Sequence, residues 1–202
     1  MKHRYRTIRS SGSGIFKDKG SKHIGHAIHA KTEEEINAFL DGLRKEHHSA
    51  RHVCYAWRLG YQGEMHRAND DGEPSNSAGP PILGQIEKYN LTFVCVAVVR
   101  YFGGTKLGVS GLIQAYRTAA MLAIEDAEIV EKQLLAHYRI HFGYDRMSEV
   151  MLAIRVHGWE ESDQDFTTDC RLTVSLLPHR KEEVERAFEP FNDIRAEYLG
   201  IY

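Results

Sequence analysis

The sequence predicts an α+β protein of two domains, each an α/β sandwich in which helices cover a sheet. Strand and helix patterns alternate over residues 1–130, and residues 136–202 give the order β-α-β-β-α-β. The charge also changes: residues 1–135 hold 18 Lys and Arg against 15 Asp and Glu, whereas residues 136–202 hold 8 against 13. We therefore expect domains at 1–132 and 136–202, with different surfaces and a boundary in the charged segment 125–132.

The composition is typical of a soluble globular protein of the cytoplasm. Hydrophobic residues make up 42% and charged residues 27% of the 202. No apolar run approaches the roughly 20 residues that span a bilayer, and the basic N-terminus lacks the apolar segment of a secretory signal. We therefore expect no membrane partner. Cys54, Cys95 and Cys170 lie far apart without metal-site spacing, which indicates reduced core thiols.

The first elements are short strands followed by a helix. Residues 5–30 indicate two strands around a turn at Ser11–Gly14. Thr32 and Glu35 form a capping box, and an apolar stripe at helical spacing follows, so we predict a helix from Thr32 to about His48. A strand over Arg51–Leu59 comes next, with alternate side chains on its two faces.

The middle of the first domain contains the most informative stretch. Residues 60–76 are predicted to form a long polar loop, and a short helix starts near Pro80–Pro81. Leu91–Val99 is apolar on both faces apart from Thr92, which predicts a strand buried between two layers. A glycine-rich basic loop follows, and an apolar helix runs from about Ser110 to Glu125.

This strand, loop and helix could form an anion site. Backbone N–H groups of a glycine-rich loop and of a helix start can cradle a phosphate, and Arg100 and Lys106 add positive charge. The glycines concerned are Gly103, Gly104, Gly108 and Gly111. The stretch contains neither a Walker A motif nor G-x-G-x-x-G. A plain steric turn therefore remains open beside the anion site, and exposed aromatic residues near the loop could stack on bases.

A second candidate is the acidic run Asp70-Asp71-Gly72-Glu73. Its carboxylates could hold a hard cation such as Mg²⁺, form an ordinary tight turn, or pair with Arg100, Lys106 or Arg58. The turn or ion pair is the preferred interpretation, and we expect no metal and no catalytic residue. The histidines also lack metal-site spacing. Whether the acidic and basic loops meet in space decides between a ligand site and mutual neutralisation.

The C-terminal residues predict a ferredoxin-like domain. Residues 138–142 alternate as a strand, and 147–154 have helical spacing. Residues 159–168 and 171–177 indicate a hairpin, followed by a helix over 184–191. A last strand uses residues 196–201.

With these residues in place, the chain resembles the YigZ/IMPACT family over roughly residues 15–125. The resemblance rests on ordered runs: Ala50-Arg51-His52 with Ala56, Asp70-Asp71-Gly72-Glu73-Pro74-Ser75, Ala78-Gly79 before Pro81-Ile82-Leu83, Arg100-Tyr101-Phe102-Gly103-Gly104, Lys106-Leu107-Gly108, Gly111-Leu112 and Ala115-Tyr116. Two departures are Ser77, where the family usually has Thr, and Ser110, where it usually has Gly. Ser110 would supply a helix N-cap.

The resemblance implies a fold and a function. The first domain would resemble the second domain of ribosomal small-subunit protein five and domain IV of elongation factor G, and the second would resemble domain V of that factor. Family members are linked to translational control through RNA, ribosomes or protein partners. Eukaryotic members bind a protein regulator of a stress-responsive kinase. No catalytic role is carried over, and no cofactor is expected.

Our leading hypothesis is a cytoplasmic protein that binds RNA or the ribosome and modulates translation. The alternatives are a protein-interaction module without RNA contact and a metal-dependent enzyme acting on a phosphorylated small molecule. The expected anion or nucleic-acid contacts are Arg58, Arg100, Gly103, Gly104, Lys106, Gly108 and Arg117, with Arg67 as a further candidate. The acidic loop Asp70, Asp71, Gly72 and Glu73 is their expected neighbour.

Overall fold

The protein has an α+β fold of two compact units, which confirms the predicted fold class. The structure is a computed structural model that describes residues 4–167 and 169–202. One unit covers Tyr5–Lys132, and the other holds Gln133–Tyr202 together with Arg4. Among the described helices, none is both long enough and apolar enough to cross a membrane.

The N-terminal unit is built on a five-stranded antiparallel sheet. Its elements are β1 (Arg4–Ile8), β2 (Gly12–Asp18), β3 (Ser21–His29), α1 (Glu33–Glu46), β4 (His52–Leu59), β5 (Met65–Asn69), α2 (Gly79–Lys88), β6 (Val94–Tyr101), α3 (Gly108–Asp126) and β7 (Ile129–Gln133). The strand order is β2-β3-β6-β4-β5, with every neighbouring pair antiparallel. Strands β1 and β7 pair in a separate two-stranded sheet.

Several predicted boundaries were wrong. Apart from Ser11, the expected turn at Ser11–Gly14 lies within β2, because β2 and β3 form a hairpin that turns at Lys19 and Gly20 instead. The predicted loop over residues 60–76 contains β5, an exposed strand at the edge of the sheet. Strand β6 continues through Arg100, and α3 begins at Gly108, so Ser110 lies within the helix rather than at its N-cap.

Strand β6 is the centre of this unit and is buried on both faces, as its apolar sequence predicted. Val94, Val96 and Val98 face the core formed with α2 and α3. The alternate residues, Cys95 among them, face the core formed with α1. The sheet is therefore the middle layer between α1 on one side and α2 with α3 on the other.

Helix α3 lies unusually close to the hairpin of β2 and β3. A β-carbon added at Gly25 would sit 2.2 Å from the backbone oxygen of Ala119. The absence of a side chain at this position allows the helix to pack directly on the strand. This packing positions α3 against the sheet, and the first turn of the helix forms part of the candidate site.

The C-terminal unit has the ferredoxin-like order that the sequence predicted. Its strands and α-helices are β8 (Ala136–Phe142), α4 (Met147–His157), β9 (Glu160–Asp165), β10 (Cys170–Leu176), α5 (Glu182–Phe188) and β11 (Arg195–Ile201). The sheet order β11-β8-β10-β9 is antiparallel throughout, as in a β-α-β-β-α-β domain. Thr168, at the end of the predicted hairpin strand, lies outside the described residues.

Replacing Gly25 with alanine should destabilise the N-terminal unit by about 1–3 kcal/mol, because the added methyl group overpacks the β3–α3 contact. Gly42→Ala is the matched control: Gly42 lies within α1, and a β-carbon there meets no atom within 4 Å. That change should stabilise the unit by up to about 1 kcal/mol. Urea unfolding followed by the fluorescence of Trp57, in a Trp159→Phe background, measures both. Equal effects of the two substitutions would contradict the packing account.

Candidate functional site

The three carboxylates of the acidic loop have three different partners. Asp70 binds the start of α2: its Oδ1 accepts the backbone N–H groups of Ala78 (2.9 Å) and Gly79 (2.8 Å). Its Oδ2 accepts the N–H of Asn76 at 2.8 Å. The N-cap residue of α2, Ala78, offers no side-chain oxygen. Asp70 therefore caps α2 from outside the helix, where its negative charge also suits the helix dipole.

Asp71 ties the acidic loop to the start of β4. Its Oδ2 accepts the backbone N–H of Val53 at 2.7 Å, and its carbonyl oxygen accepts a hydrogen bond from Nδ1 of His52 at 2.7 Å. Asp71 and Gly72 both have positive φ angles, of 43° and 85°. The turn interpretation of this run is therefore correct for Asp71 and Gly72.

Glu73 is where the acidic and basic loops meet. Its Oε1 accepts hydrogen bonds from Nη1 of Arg100 at 2.6 Å and from the hydroxyl of Tyr116 at 2.7 Å. The side chain of Arg100 is 9% exposed and that of Glu73 is 4% exposed. The two loops therefore form a buried ion pair, which the sequence offered as one of three interpretations.

More titratable groups surround this ion pair. His23 is fully buried, with its ring edge-on to Tyr116 at 5.1 Å between centroids. Among the described residues, neither of its ring nitrogens has a hydrogen-bond partner. Burial, followed by the positive charge of Arg100, lowers the pKa of His23 to about 4. Burial also raises the pKa of the Cys54 thiol and of the Tyr116 hydroxyl, so all three groups are uncharged near neutral pH.

The glycines of the basic loop have backbone roles. A β-carbon at Gly103 would lie 1.9 Å from the backbone of Gly20 in the β2–β3 turn, and the N–H of Gly103 donates to Oγ of Ser21 at 3.1 Å. Gly104 and Gly108 have positive φ angles, of 90° and 77°. These contacts explain the glycines by packing and conformation alone, and they hold the loop beside the start of α3.

Two of the predicted cations lie apart from Arg100. Arg58 donates to the backbone oxygens of Gln62, Gly63 and Leu91, so its guanidinium group holds a loop in place. Arg117 is exposed on α3 and lines a different pocket, of about 530 Å³, beside α2. Arg67 is exposed on the edge strand β5. The predicted set of cations therefore does not form one continuous surface.

A pocket of about 430 Å³ opens beside the ion pair at the start of α3, and we call it the α3 pocket. Its lining residues are Arg51, His52, Glu73, Pro74, Arg100, Phe102, Lys106, Leu107, Gly108, Val109 and Leu112. Lys106 and Arg51 are both exposed. Within the described chain, neither has an ion-pair or hydrogen-bond partner.

Arg51 was missed as a candidate contact. It appeared in the sequence only as part of the run Ala50-Arg51-His52, ahead of β4, with no glycine loop beside it. Its position could have been inferred from β4 and β6 being neighbours: His52 lies opposite Arg100 in that pair. Residues that precede β4 therefore lie beside the end of β6, where the basic loop starts.

The first turn of α3 also faces this pocket. Gly108 and Val109 line it, the first turn contains no acidic residue, and no side chain caps it. The first N–H groups of a helix have no acceptor within the helix and carry a partial positive charge. Among the described residues, no group of three or more His, Cys, Asp or Glu side chains could hold a metal ion. Chemically, the α3 pocket suits an anion.

Comparison with known proteins places this site within a defined domain. The family model for the Impact N-terminal domain matches residues 19–124, which include the acidic loop, the basic loop and most of α3. The chain belongs to the IMPACT family.

Curated relatives cover different shares of the chain. IMPACT family member YigZ of Escherichia coli is 33% identical over 185 residues, 91% of each chain. IMPACT family member YvyE of Bacillus subtilis is 38% identical over 135 residues, 67% of this chain and 62% of the relative. The matched segment thus spans less than two thirds of YvyE.

Two solved structures match this chain to different extents. One, described as a crystal structure of a hypothetical protein, covers 99% of both chains with a TM-score of 0.69 at 24% identity, and shows the fold alone. The other, the two-domain translational regulator Yih1, is 25% identical over 63% of this chain and 48% of Yih1. Its TM-score of 0.38 supports no inference about this chain.

The buried His23 predicts acid sensitivity of the N-terminal unit. The pKa of His23 is about 4 in the folded protein against 6.5 when exposed, so the unfolded chain binds its proton more readily. The neutral form of His23 should therefore contribute about 3 kcal/mol to the free energy of unfolding. This contribution should be fully present above pH 6.5 and be lost as the pH falls towards 4. Unfolding measured by Trp57 fluorescence across this range, in the Trp159→Phe background, tests it. His23→Leu should flatten the pH profile, and an unchanged profile would contradict the assignment.

Proposed function

We propose that this protein binds RNA or the ribosome through the α3 pocket and its rim, and that it acts in translation. The observation that carries the proposal is the α3 pocket itself. There Lys106 and Arg51 have no partner among the described residues, and they lie beside a helix start that no side chain caps. Free cations and unbonded N–H groups that converge on one concavity are suited to phosphate oxygens. The proposal needs no cofactor.

An exposed aromatic ring beside these cations supports nucleic acid over a simple anion. Phe102 is 54% exposed at the rim of the pocket, although the hydrophobic effect favours burying such a ring. Aromatic rings next to a positively charged groove are the usual platform for stacking unpaired bases. The combination therefore favours single-stranded segments, whose bases are free to stack.

The translational part of the proposal rests on the family. Members of the IMPACT family are linked to translational control, and this chain contains the family's acidic and basic runs. Glu73 of the acidic run and Arg100 and Lys106 of the basic run line the α3 pocket. A cytoplasmic location belongs to the same proposal.

A protein-interaction module is the second candidate, and one observation favours it. Phe102 and Val109 are each 54% exposed on the same rim, and neighbouring exposed apolar side chains can anchor a protein partner. Partner capture that survives nuclease treatment, and that is lost with Phe102→Ala, would support this candidate over RNA binding. The metal-dependent enzyme gains no such support, because each carboxylate of the acidic loop already binds protein groups.

Lys106→Ala should weaken binding of a short single-stranded RNA and reduce its salt dependence, because a phosphate contact releases counterions. For single strands the slope of log K against log salt should become shallower by about 0.7. Fluorescence anisotropy over a salt series measures this. Lys45→Ala is the matched control, since Lys45 is an exposed lysine on α1, on the opposite side of the sheet.

The outcomes separate clearly. Loss of affinity with Lys106→Ala but not with Lys45→Ala supports RNA binding at the α3 pocket. Identical affinities and slopes for both variants and the unmodified protein would overturn the proposed contact. The same pair of variants applied to purified ribosomes tests the ribosomal form of the proposal.

A further inference from the structure

We propose that the α3 pocket is specific for the terminal phosphate monoester of a nucleotide, with the phosphate at the start of α3 and the base against Phe102. This inference rests on the proposed function, because it uses the same pocket, and it names the group that is recognised. The ligand would be the phosphorylated end of an RNA strand or a free nucleoside monophosphate, which share this chemistry.

The shape of the pocket suits an end group rather than a continuous strand. Its volume of about 430 Å³ lies within the range of about 300–1,000 Å³ that holds small molecules. A strand in mid-sequence needs a groove that follows several phosphates. The other predicted cations do not extend this pocket into such a groove, because Arg58 is engaged with backbone oxygens and Arg117 lines a separate pocket.

The charge of the lining matches a phosphate monoester. Arg51, Arg100 and Lys106 supply three positive charges, and Glu73 supplies one negative charge, which leaves two positive charges. A terminal phosphate carries about −1.5 to −2 at neutral pH, whereas an internal phosphodiester carries a single negative charge. A terminal phosphate would therefore be nearly neutralised in the pocket, and a diester would leave positive charge uncompensated.

Arg100 adds buried positive charge to the wall of the pocket. It lines the pocket with a side chain that is only 9% exposed. Its Nη1 is bonded to Glu73, and its Nε is enclosed within the protein without a hydrogen-bond partner in the described part of the chain. Gly108 and Val109, in the first turn of α3, line the same pocket, so the partial positive charge of the helix start lies beside this cation.

Phe102 provides the position for the base. The guanidinium carbon of Arg100 lies 5.5 Å from the centroid of the Phe102 ring, so one side of the ring contacts the cation. The ring is 54% exposed and therefore accessible to a further planar group. A nucleotide whose phosphate binds Lys106 and the start of α3 could place its base there, and inorganic phosphate could not.

The test compares four probes on the full chain: a short RNA with a 5′-phosphate, the same RNA with a 5′-hydroxyl, a free nucleoside 5′-monophosphate, and inorganic phosphate. We expect the phosphorylated RNA to bind about tenfold more tightly than the hydroxyl form, as for one charge-assisted hydrogen bond. Lys106→Ala should abolish this preference, and Lys45→Ala should retain it. Phe102→Ala should weaken nucleotide binding but leave inorganic phosphate binding unchanged. Circular dichroism confirms that each variant is folded.

The outcomes distinguish this inference from the proposed function. Equal affinity for the two RNAs overturns the monoester inference and leaves RNA binding intact. Binding of the free nucleotide without either RNA supports the inference and overturns the RNA function. Binding of none of the probes overturns both.

Discussion

The candidate site depends on the buried ion pair between Glu73 and Arg100. Arg100 comes from the end of the central strand β6, Glu73 from the acidic loop, and Tyr116 of α3 donates to the same carboxylate oxygen. Charges this deeply buried are costly to remove from water, and losing one partner leaves the other uncompensated. The pair therefore holds strand, loop and helix in one arrangement, and the wall of the α3 pocket follows from that arrangement.

The rest of the acidic loop makes this pairing possible. Asp70 caps α2 and Asp71 binds the backbone of β4, so the loop is fixed on both sides before it presents Glu73. Because Glu73 engages Arg100 inside, the cations that remain for a ligand are the exposed Lys106 and Arg51. The acidic and basic loops thus neutralise each other only in part, and they leave a pocket with positive charge at its edge.

Much of the fold could be predicted from local patterns. The apolar run before Arg100 indicated a doubly buried strand because every residue of Val94–Val99 faces one of two cores. The alternation of residues 138–142 and 171–177 indicated the ferredoxin-like sheet. Strand β8 alternates between buried and half-buried residues, whereas in β10 the polar Thr173 and Ser175 are buried as well. Strand β5 was missed because edge strands are polar and exposed. Strand β2 was missed because Gly12 and Gly14 are typical of a turn. In the structure these glycines instead allow α3 to pack closely on the strand.

The residue types that form the site could be predicted from the sequence, but their arrangement in space could not. In the sequence, three arginines look equivalent as basic residues near glycines, and only tertiary packing distinguishes them. Arg58 holds a loop, Arg100 is buried with Glu73, and Arg117 lines another pocket. The pairing of Glu73 with Arg100 joins residues 27 positions apart, across α2 and most of β6. Lys106 was predicted, whereas Arg51 was missed, because its proximity depends on the pairing of β4 with β6.

A double-mutant cycle of Glu73 and Arg100 tests most directly whether the ion pair holds the site together. Glu73→Gln and Arg100→Met are made singly and together in a Trp159→Phe background, and unfolding of the N-terminal unit is followed by Trp57 fluorescence in urea. We expect each single change to cost about 3 kcal/mol or more. The double change should cost about 1–3 kcal/mol less than the sum. Costs that add to within about 0.5 kcal/mol would contradict the central role of this pair.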